Sequence, residues 1–322
     1  MKSKIVIFGA SGQIGKSLIR KLTKFNFRVV AITRNIHTKG YVLKTQANPG
    51  YLEILEMSIF DENKIGDLIK DCDICINLVG ILYEKGKINT FNNIHEKFPL
   101  MLAKACKRHN IKQFVHLSAL GIDKATESKY ALSKLRGEKN IKNNFENYTI
   151  LRPSIVYSKE DSFTTNFMTM LNLLPIFPLY YRGKTIFTPI HCSDLTKIIF
   201  EIINNDIKNV TIDCIGPEKI SFKKIIQILL KSIEKKRILI PLPNIIAKIS
   251  ASIFQKFPKP LITLDQLKLL SYDNISHGNF KTNFDLNMPS ELKFEIEVNK
   301  YSYMWRREGQ YSKEEYKQKD RL

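Results

Sequence analysis

The 322-residue sequence is short of acid. Its 31 Asp and Glu stand against 51 Lys and Arg, giving a formal net charge of +20 at pH 7. No acidic residue occurs before Glu53, while ten Lys and Arg do. Such a charge raises the question of nucleic acid. The surplus runs through the whole chain, alongside abundant Ile and Asn, and no nucleic-acid motif accompanies it, so no nucleic-acid partner is expected. A basic surface suits anionic membranes and acidic proteins equally well. Cysteine is also sparse: Cys72, Cys75, Cys106, Cys192 and Cys214. An odd, dispersed set fits a reducing compartment, here the cytoplasm. Cys72 and Cys75 have C-x-x-C spacing, but residues three apart on a strand face opposite ways, so neither metal nor redox use is expected. No apolar run reaches the ~18 residues of a membrane span. Lys2 and Lys4 before the short run Ile5–Phe8 do not make a signal peptide.

What is present begins at Ile5. A β-branched run to Phe8 leads into Gly9-Ala10-Ser11-Gly12-Gln13-Ile14-Gly15. A helical pattern follows, with Ile14, Leu18, Ile19 and Leu22 on one face, and then a second strand, Val29–Ile32. Strand, glycine turn, helix, strand is the opening of a dinucleotide-binding unit. Gly9 permits the tight turn, Gly12 lets the backbone approach a pyrophosphate, and Gly15 lets the helix pack on the sheet. The helix N-terminus then faces the phosphates. Gly9, Ser11, Gly12, Gln13, Ile14 and Gly15 are therefore expected to bind the cofactor. A site for NAD(H) usually ends its second strand in Asp or Glu. Here the residues are Thr33-Arg34-Asn35. Arg34 is placed to pair with a 2′-phosphate, with His37 and Lys39 in support, so NADP(H) is preferred and NAD(H) is the alternative.

Further strands are expected at Tyr51–Met57, Ile74–Val79, Gln113–Leu117 and Tyr148–Leu151, with helices at Asp61–Ile69, Phe91–His109 and Ser128–Lys142. Such alternation implies an α/β fold, a doubly wound parallel sheet of order 3-2-1-4-5-6. Ligands in such sheets sit beyond the carboxyl ends of the strands. Asn77, Val79, Gly80, Ser118 and Pro153 lie there and join the cofactor-binding set. Residues 1–155 form the nucleotide-binding domain, its sheet completed by parts of 185–215. Residues 156–322 form a smaller, mostly helical portion facing substrate or partner, with an interface tail.

Tyr130 and Lys134 make a Y-x-x-x-K pair on one helix face. A neighbouring ammonium favours the phenolate, which makes Tyr130 a usable acid or base, and Lys134 can also bind ribose hydroxyls. A reductase also needs a donor that polarises the substrate carbonyl. The position two residues past Ser118 carries Leu120, which donates nothing, and Ser118 stands one turn short. The G-x-x-G-x-x-G spacing resembles the extended and atypical short-chain dehydrogenase/reductases.

Three later stretches narrow the resemblance: Asn77–Glu84, Pro258–Leu261 with Asp265-Gln266, and Tyr303–Gln310. In order from Lys4 to Tyr311, the chain resembles the atypical short-chain dehydrogenase family of the nucleotide-binding accessory subunit of respiratory complex I, with its bacterial relatives. The resemblance implies a Rossmann protein with tightly held NADPH, structural rather than catalytic. It also implies docking beside other complex I subunits near the membrane and quinone junction, on the cytoplasmic face of the inner membrane. The alternative is a working NADP-dependent reductase, epimerase or dehydratase acting on a quinone, lipid or sugar nucleotide. From Lys219 to Lys259 there are ten Lys and Arg and one acid, Glu234. Within that stretch Ile245, Ile246, Ile249, Ile253 and Phe257 form an apolar stripe beside Lys248 and Lys256. The stripe is expected to pack on its own domain, with contact to an anionic membrane surface as the alternative.

Overall fold

The computed structural model describes residues 3–57, 61–255, 260, 262–307 and 309, without the side chains of Asn244, Ile253 and Phe254. Two compact units are present. The first comprises Met1–Pro153, Cys192–Cys214 and Ser276–Pro289; the second comprises Ser154–His191, Ile215–Ile275 and Ser290–Leu322.

The first unit is an eight-stranded parallel sheet with helices between its strands. It begins with β1 (Lys4–Phe8), α1 (Gln13–Lys24), β2 (Arg28–Thr33) and α2 (Ile36–Lys44). It continues with β3 (Leu52–Glu56), α3 (Glu62–Ile69) and β4 (Ile74–Asn77). A π-helical segment, Asn92–Lys97, runs into α4 (Phe98–Arg108), followed by β5 (Gln113–Leu117), α5 (Lys129–Asn144) and β6 (Tyr148–Pro153). Later chain adds α6 (Cys192–Asn204), β7 (Val210–Cys214) and β8 (Lys281–Thr282). The strand order is β8-β7-β6-β5-β4-β1-β2-β3, which contains the expected 3-2-1-4-5-6 and extends it by two. Ile5, Val6, Ile7 and Phe8 are wholly buried, as a central parallel strand with both faces covered requires. The carboxyl ends of β1, β2, β4 and β5 are adjacent by register, so Phe8 pairs with Ile32 and Asn77, and Asn77 with His116.

Cys72 and Cys75 do not face opposite ways. Cys72 precedes the strand, so strand alternation does not apply to it, and both side chains enter the core cluster that also holds Cys106. All five cysteines are free and buried, and burial raises the Cys72 thiol to about 12. No group of metal-ligating side chains occurs among the described residues.

The second unit is built on aromatic side chains. Phe163, Phe167 and Phe222 meet edge to face, with centroids 4.8 and 5.5 Å apart, and Tyr157 meets Phe294 at 4.8 Å. The Trp305 indole turns back to donate to Thr169 Oγ1 at 2.9 Å, and Arg306 Nε donates to Ser232 O. Both residues therefore serve their own unit. Ile245, Ile246 and Ile249 of the isoleucine stripe, by contrast, do not pack inward. On the helix Asn244–Phe254 the buried residues are Ala247 and Ala251, while Ile245, Ile246 and Ile249 are 75, 51 and 56% exposed. Small residues let the helix approach Tyr180 closely, which turns the isoleucines outward. The side chain of Ile253, and Lys256, Phe257, Pro258, Lys259, Leu261, Glu308 and Gln310, lie outside the described residues.

Candidate nucleotide site

The glycine turn is held by its own backbone. Gly9 has φ +82°, a conformation that favours glycine, and a Cβ there would lie 3.0 Å from the Leu78 carbonyl carbon. Gly12 N donates to Gly9 O at 3.1 Å and closes the turn. Gly12 is the N-cap of α1 and offers no side-chain cap. Its added Cβ would meet only Gly9 O, at 3.4 Å, so the space above the helix N-terminus is open to a ligand. At Gly15 a Cβ would lie 2.4 Å from Ala10 O, so this glycine exists for packing. Ser11, Gln13 and Ile14 are half-buried around the same helix end. A pyrophosphate fits this cradle, because the open position, the helix end and the absence of a cap coincide.

Arg34 is exposed just past β2, and its guanidinium donates to Asn89 Oδ1 at 3.2 Å. His37 and Lys39 are exposed on α2. Glu56 is a neighbour of this region that no motif in the sequence marks. At the end of β3, in register with Thr33, its carboxylate accepts from the first N–H of α2, Ile36 N, at 2.8 Å. The usual acid sits at the end of the second strand; here one arrives from the third. Its signal was the acidic end of Leu52–Glu56 paired beside Thr33. Thr33 Oγ1 is buried without a protein partner, and so, at the end of β5, is Ser118 Oγ. Unsatisfied buried hydroxyls are uncommon and fit places where a polar ligand would lie.

At the other end, Asn77 is buried and oriented by its own loop. Its Oδ1 accepts from Val79 N at 3.0 Å, so its Nδ2 donates to His116 Nδ1 at 3.1 Å. Ser128 Oγ caps α5 by accepting from Ala131 N. The helix then carries Tyr130, Lys134 and Glu138 at four-residue spacing. Lys134 is buried, donates to Leu117 O at 3.0 Å, and is pushed down to about 8 by burial, against an opposing pull from Glu138. A Cβ on Gly80 would lie 3.4 Å from its Nζ, which places the turn after β4 directly against the ammonium. Tyr130 is half-buried, with the rings of Phe91 and His95 edge-on at 5.9 and 5.3 Å. Glu138 makes a buried two-pronged pair with Arg152, at 2.9 and 2.7 Å, and thereby fastens α5 to the end of β6. Leu120 is buried, its N–H held by Pro153 O at 2.9 Å. Pro153 thus supports the segment carrying the leucine.

The arrangement can therefore cradle phosphates, meet ribose hydroxyls with Lys134, and hold a tyrosine beside a cation. A bound nicotinamide nucleotide would bring hydride chemistry. No hydroxyl stands at position 120 to polarise a carbonyl.

The NAD(P)H-binding family model matches residues 9–173, just over half of the 322-residue chain. The chain is 24% identical over 289 residues to the NADH-ubiquinone oxidoreductase 40 kDa subunit, mitochondrial, of Neurospora crassa, covering 89% of this chain and 76% of that one. It is 25% identical over 306 residues to NADH dehydrogenase (ubiquinone) 1 alpha subcomplex subunit 9, mitochondrial, of Rattus norvegicus, covering 93% of this chain and 81% of that one. Among solved structures, UDP-glucuronic acid 4-epimerase from Bacillus cereus, in complex with UDP-glucuronic acid and NAD, superposes with a TM-score of 0.68 at 20% identity, over 94% of this chain and 99% of that one. At that identity the likeness is one of fold alone. With the glycine cradle, the parallel sheet and the family match together, the chain belongs to the NAD(P)H-binding family.

Proposed function

We propose that this protein is a non-catalytic accessory subunit of NADH:ubiquinone oxidoreductase that holds NADPH. The observation that carries the reading is the contrast within one site: an open phosphate cradle beside a buried Leu120 where a reductase needs a donor. The relatives in Neurospora crassa and Rattus norvegicus, named as subunits of that enzyme, support the partner. Gly9, Ser11, Gly12, Gln13, Ile14 and Gly15 hold the pyrophosphate. Asn77, Val79, Gly80, Ser118, Tyr130, Lys134 and Pro153 surround the nicotinamide riboside. Arg34 pairs with the 2′-phosphate, and Glu56 is the neighbour that such a phosphate must tolerate. A ligand that binds the folded state alone stabilises it, so holding NADPH is a folding role in itself.

The protein sits peripherally, on the cytoplasmic face of the inner membrane near the quinone junction. No helix among the described residues is long and apolar enough to cross a membrane. The exposed isoleucines, within a stretch rich in lysine, support contact with an anionic surface. A second reading, an active NADP-dependent reductase or epimerase, draws on the Tyr130–Lys134 pair. The test is a mild-detergent pulldown of the native protein with nucleotide analysis. Co-purifying oxidoreductase subunits and NADPH are expected; a protein that comes alone and turns NADPH over would overturn the reading.

A further inference from the structure

His95 lies on the π-helical segment and is wholly buried. Such segments frequently mark functional sites. A Cβ on Gly137 would fall 1.9 Å from His95 O, so α5 and this segment touch backbone to backbone. The imidazole has one consistent hydrogen-bond assignment. Ser133 Oγ donates to Tyr130 O at 2.7 Å, which uses its only proton, so at 2.9 Å it must accept from His95 Nδ1. His95 Nε2 is then bare and accepts from Ile81 N at 3.1 Å. Burial first, then Lys134 and His116, push the group down to about 2, so it stays neutral in this tautomer at any physiological pH.

Ile81 lies at the start of a closed strap, residues 80–90. Its first residue, Gly80, lies against Lys134. Lys85 N donates to Asn89 O at 2.9 Å, Phe91 N to Glu84 Oε1 at 2.8 Å, and Asn93 Nδ2 to Lys87 O and Ile88 O. Near its far end Asn89 receives the Arg34 guanidinium. The strap leaves β4 and reaches the residue after β2. Because β1 lies between those strands, the strap passes the glycine turn on the way.

We propose that His95 is a positioning residue for nucleotide choice: it pins the strap to α5 at Ile81 and thereby sets Asn89, which aims Arg34. The inference rests on Arg34 as the partner of the 2′-phosphate. It makes the riboside end and the adenosine end of the site one mechanical unit, joined by hydrogen bonds that do not titrate.

The test measures NADPH and NADH affinity of the full chain by calorimetry, with melting temperature alongside. His95→Phe keeps a ring against Phe91 and Tyr130 but loses both hydrogen bonds. It is expected to weaken NADPH about tenfold, the value of roughly one net hydrogen bond, and NADH by less than about twofold. His95→Gln, which keeps an acceptor for Ile81, recovers part of that loss. His95→Phe added to Arg34→Ala causes no further loss of NADPH preference, as expected if both act on one contact. Asn89→Ala, at a half-exposed position, reduces NADPH preference without lowering the melting temperature, and it decides the matter if His95→Phe does not fold. Equal weakening of both nucleotides in His95→Phe, or an unchanged preference in Asn89→Ala, overturns the proposal. A wild type that binds both nucleotides equally overturns the Arg34 reading first, and this one with it.

Discussion

At the glycine turn the backbone leaves 3.4 Å between a Cβ on Gly12 and its nearest neighbour, and the helix end beneath has no side-chain cap. At the end of β5 the position two residues past Ser118 is a buried leucine, its amide committed to Pro153 O. Both regions belong to the proposed nucleotide site, and only the first offers what its proposed chemistry needs. A protein under demand to bind a nucleotide must keep the cradle. One under demand to reduce a carbonyl must also keep a donor where charge develops. The proposed holding function requires the first and not the second.

The comparison can be broken from either side. The largest effect is expected at the frame shared by both ends. Glu138→Ala leaves Arg152 buried without its two-pronged partner, facing the longer Asp123 contact at 3.7 Å and the Phe280 ring, and should cost about 3–5 kcal/mol of stability by urea unfolding. Gly12→Trp should fold normally, since a Cβ there meets nothing closer than 3.4 Å, yet fill the phosphate path. Two charged hydrogen bonds lost there amount to ~100-fold or more in NADPH affinity, read by calorimetry.

Lys134 probes the reaction end through pH. Its pKa is depressed from 10.5 to about 8 in the folded protein, so between those values the unfolded chain binds more protons and stability rises with pH. Relative to Lys134→Met, the wild type should gain up to ~3 kcal/mol between pH 8 and 10.5, while its NADPH binding weakens above pH 8 as the charge is lost. A flat difference across that range would show that Lys134 is hydrated and unstrained. The smaller effects concern nucleotide choice. Arg34→Ala should weaken NADPH by ~1.5–3 kcal/mol and leave NADH nearly unchanged. Glu56→Gln should improve NADPH by a few tenths of a kcal/mol up to ~1 kcal/mol, because a negative neighbour at the start of α2 is removed.

Much of the cradle was legible because glycine spacing and strand periodicity are local. Gly9 makes the tight turn and Gly15 the close packing that their spacing implied, Gly12 leaves space open at the helix end, and Tyr130 and Lys134 stand four residues apart on α5. The features that escaped are set by tertiary packing. The region 91–109 reads as one helix, and nothing in Asn92–Lys97 announces the π-helical slip that seats His95. The helix α2 buries only Gly40 and Leu43, so its apolar pattern is faint, and its N-terminus is held by Asn35 Oδ1 accepting from Thr38 N. The return of residues 276–289 to the first unit rests on a strand of two residues, too short to show a period. The outward isoleucines of Asn244–Phe254 look like a core stripe in sequence. Only the close approach at Ala247 and Ala251 decides which face is buried.

The most direct measurement pairs NADPH turnover with the amount of assembled NADH:ubiquinone oxidoreductase in cells carrying Tyr130→Phe or Gly12→Trp. A holding subunit should show negligible turnover with quinones or sugar nucleotides, near-normal assembly with Tyr130→Phe, and a clear loss of assembled enzyme with Gly12→Trp. Rapid turnover abolished by Tyr130→Phe, together with assembly indifferent to Gly12→Trp, would contradict it and identify an enzyme.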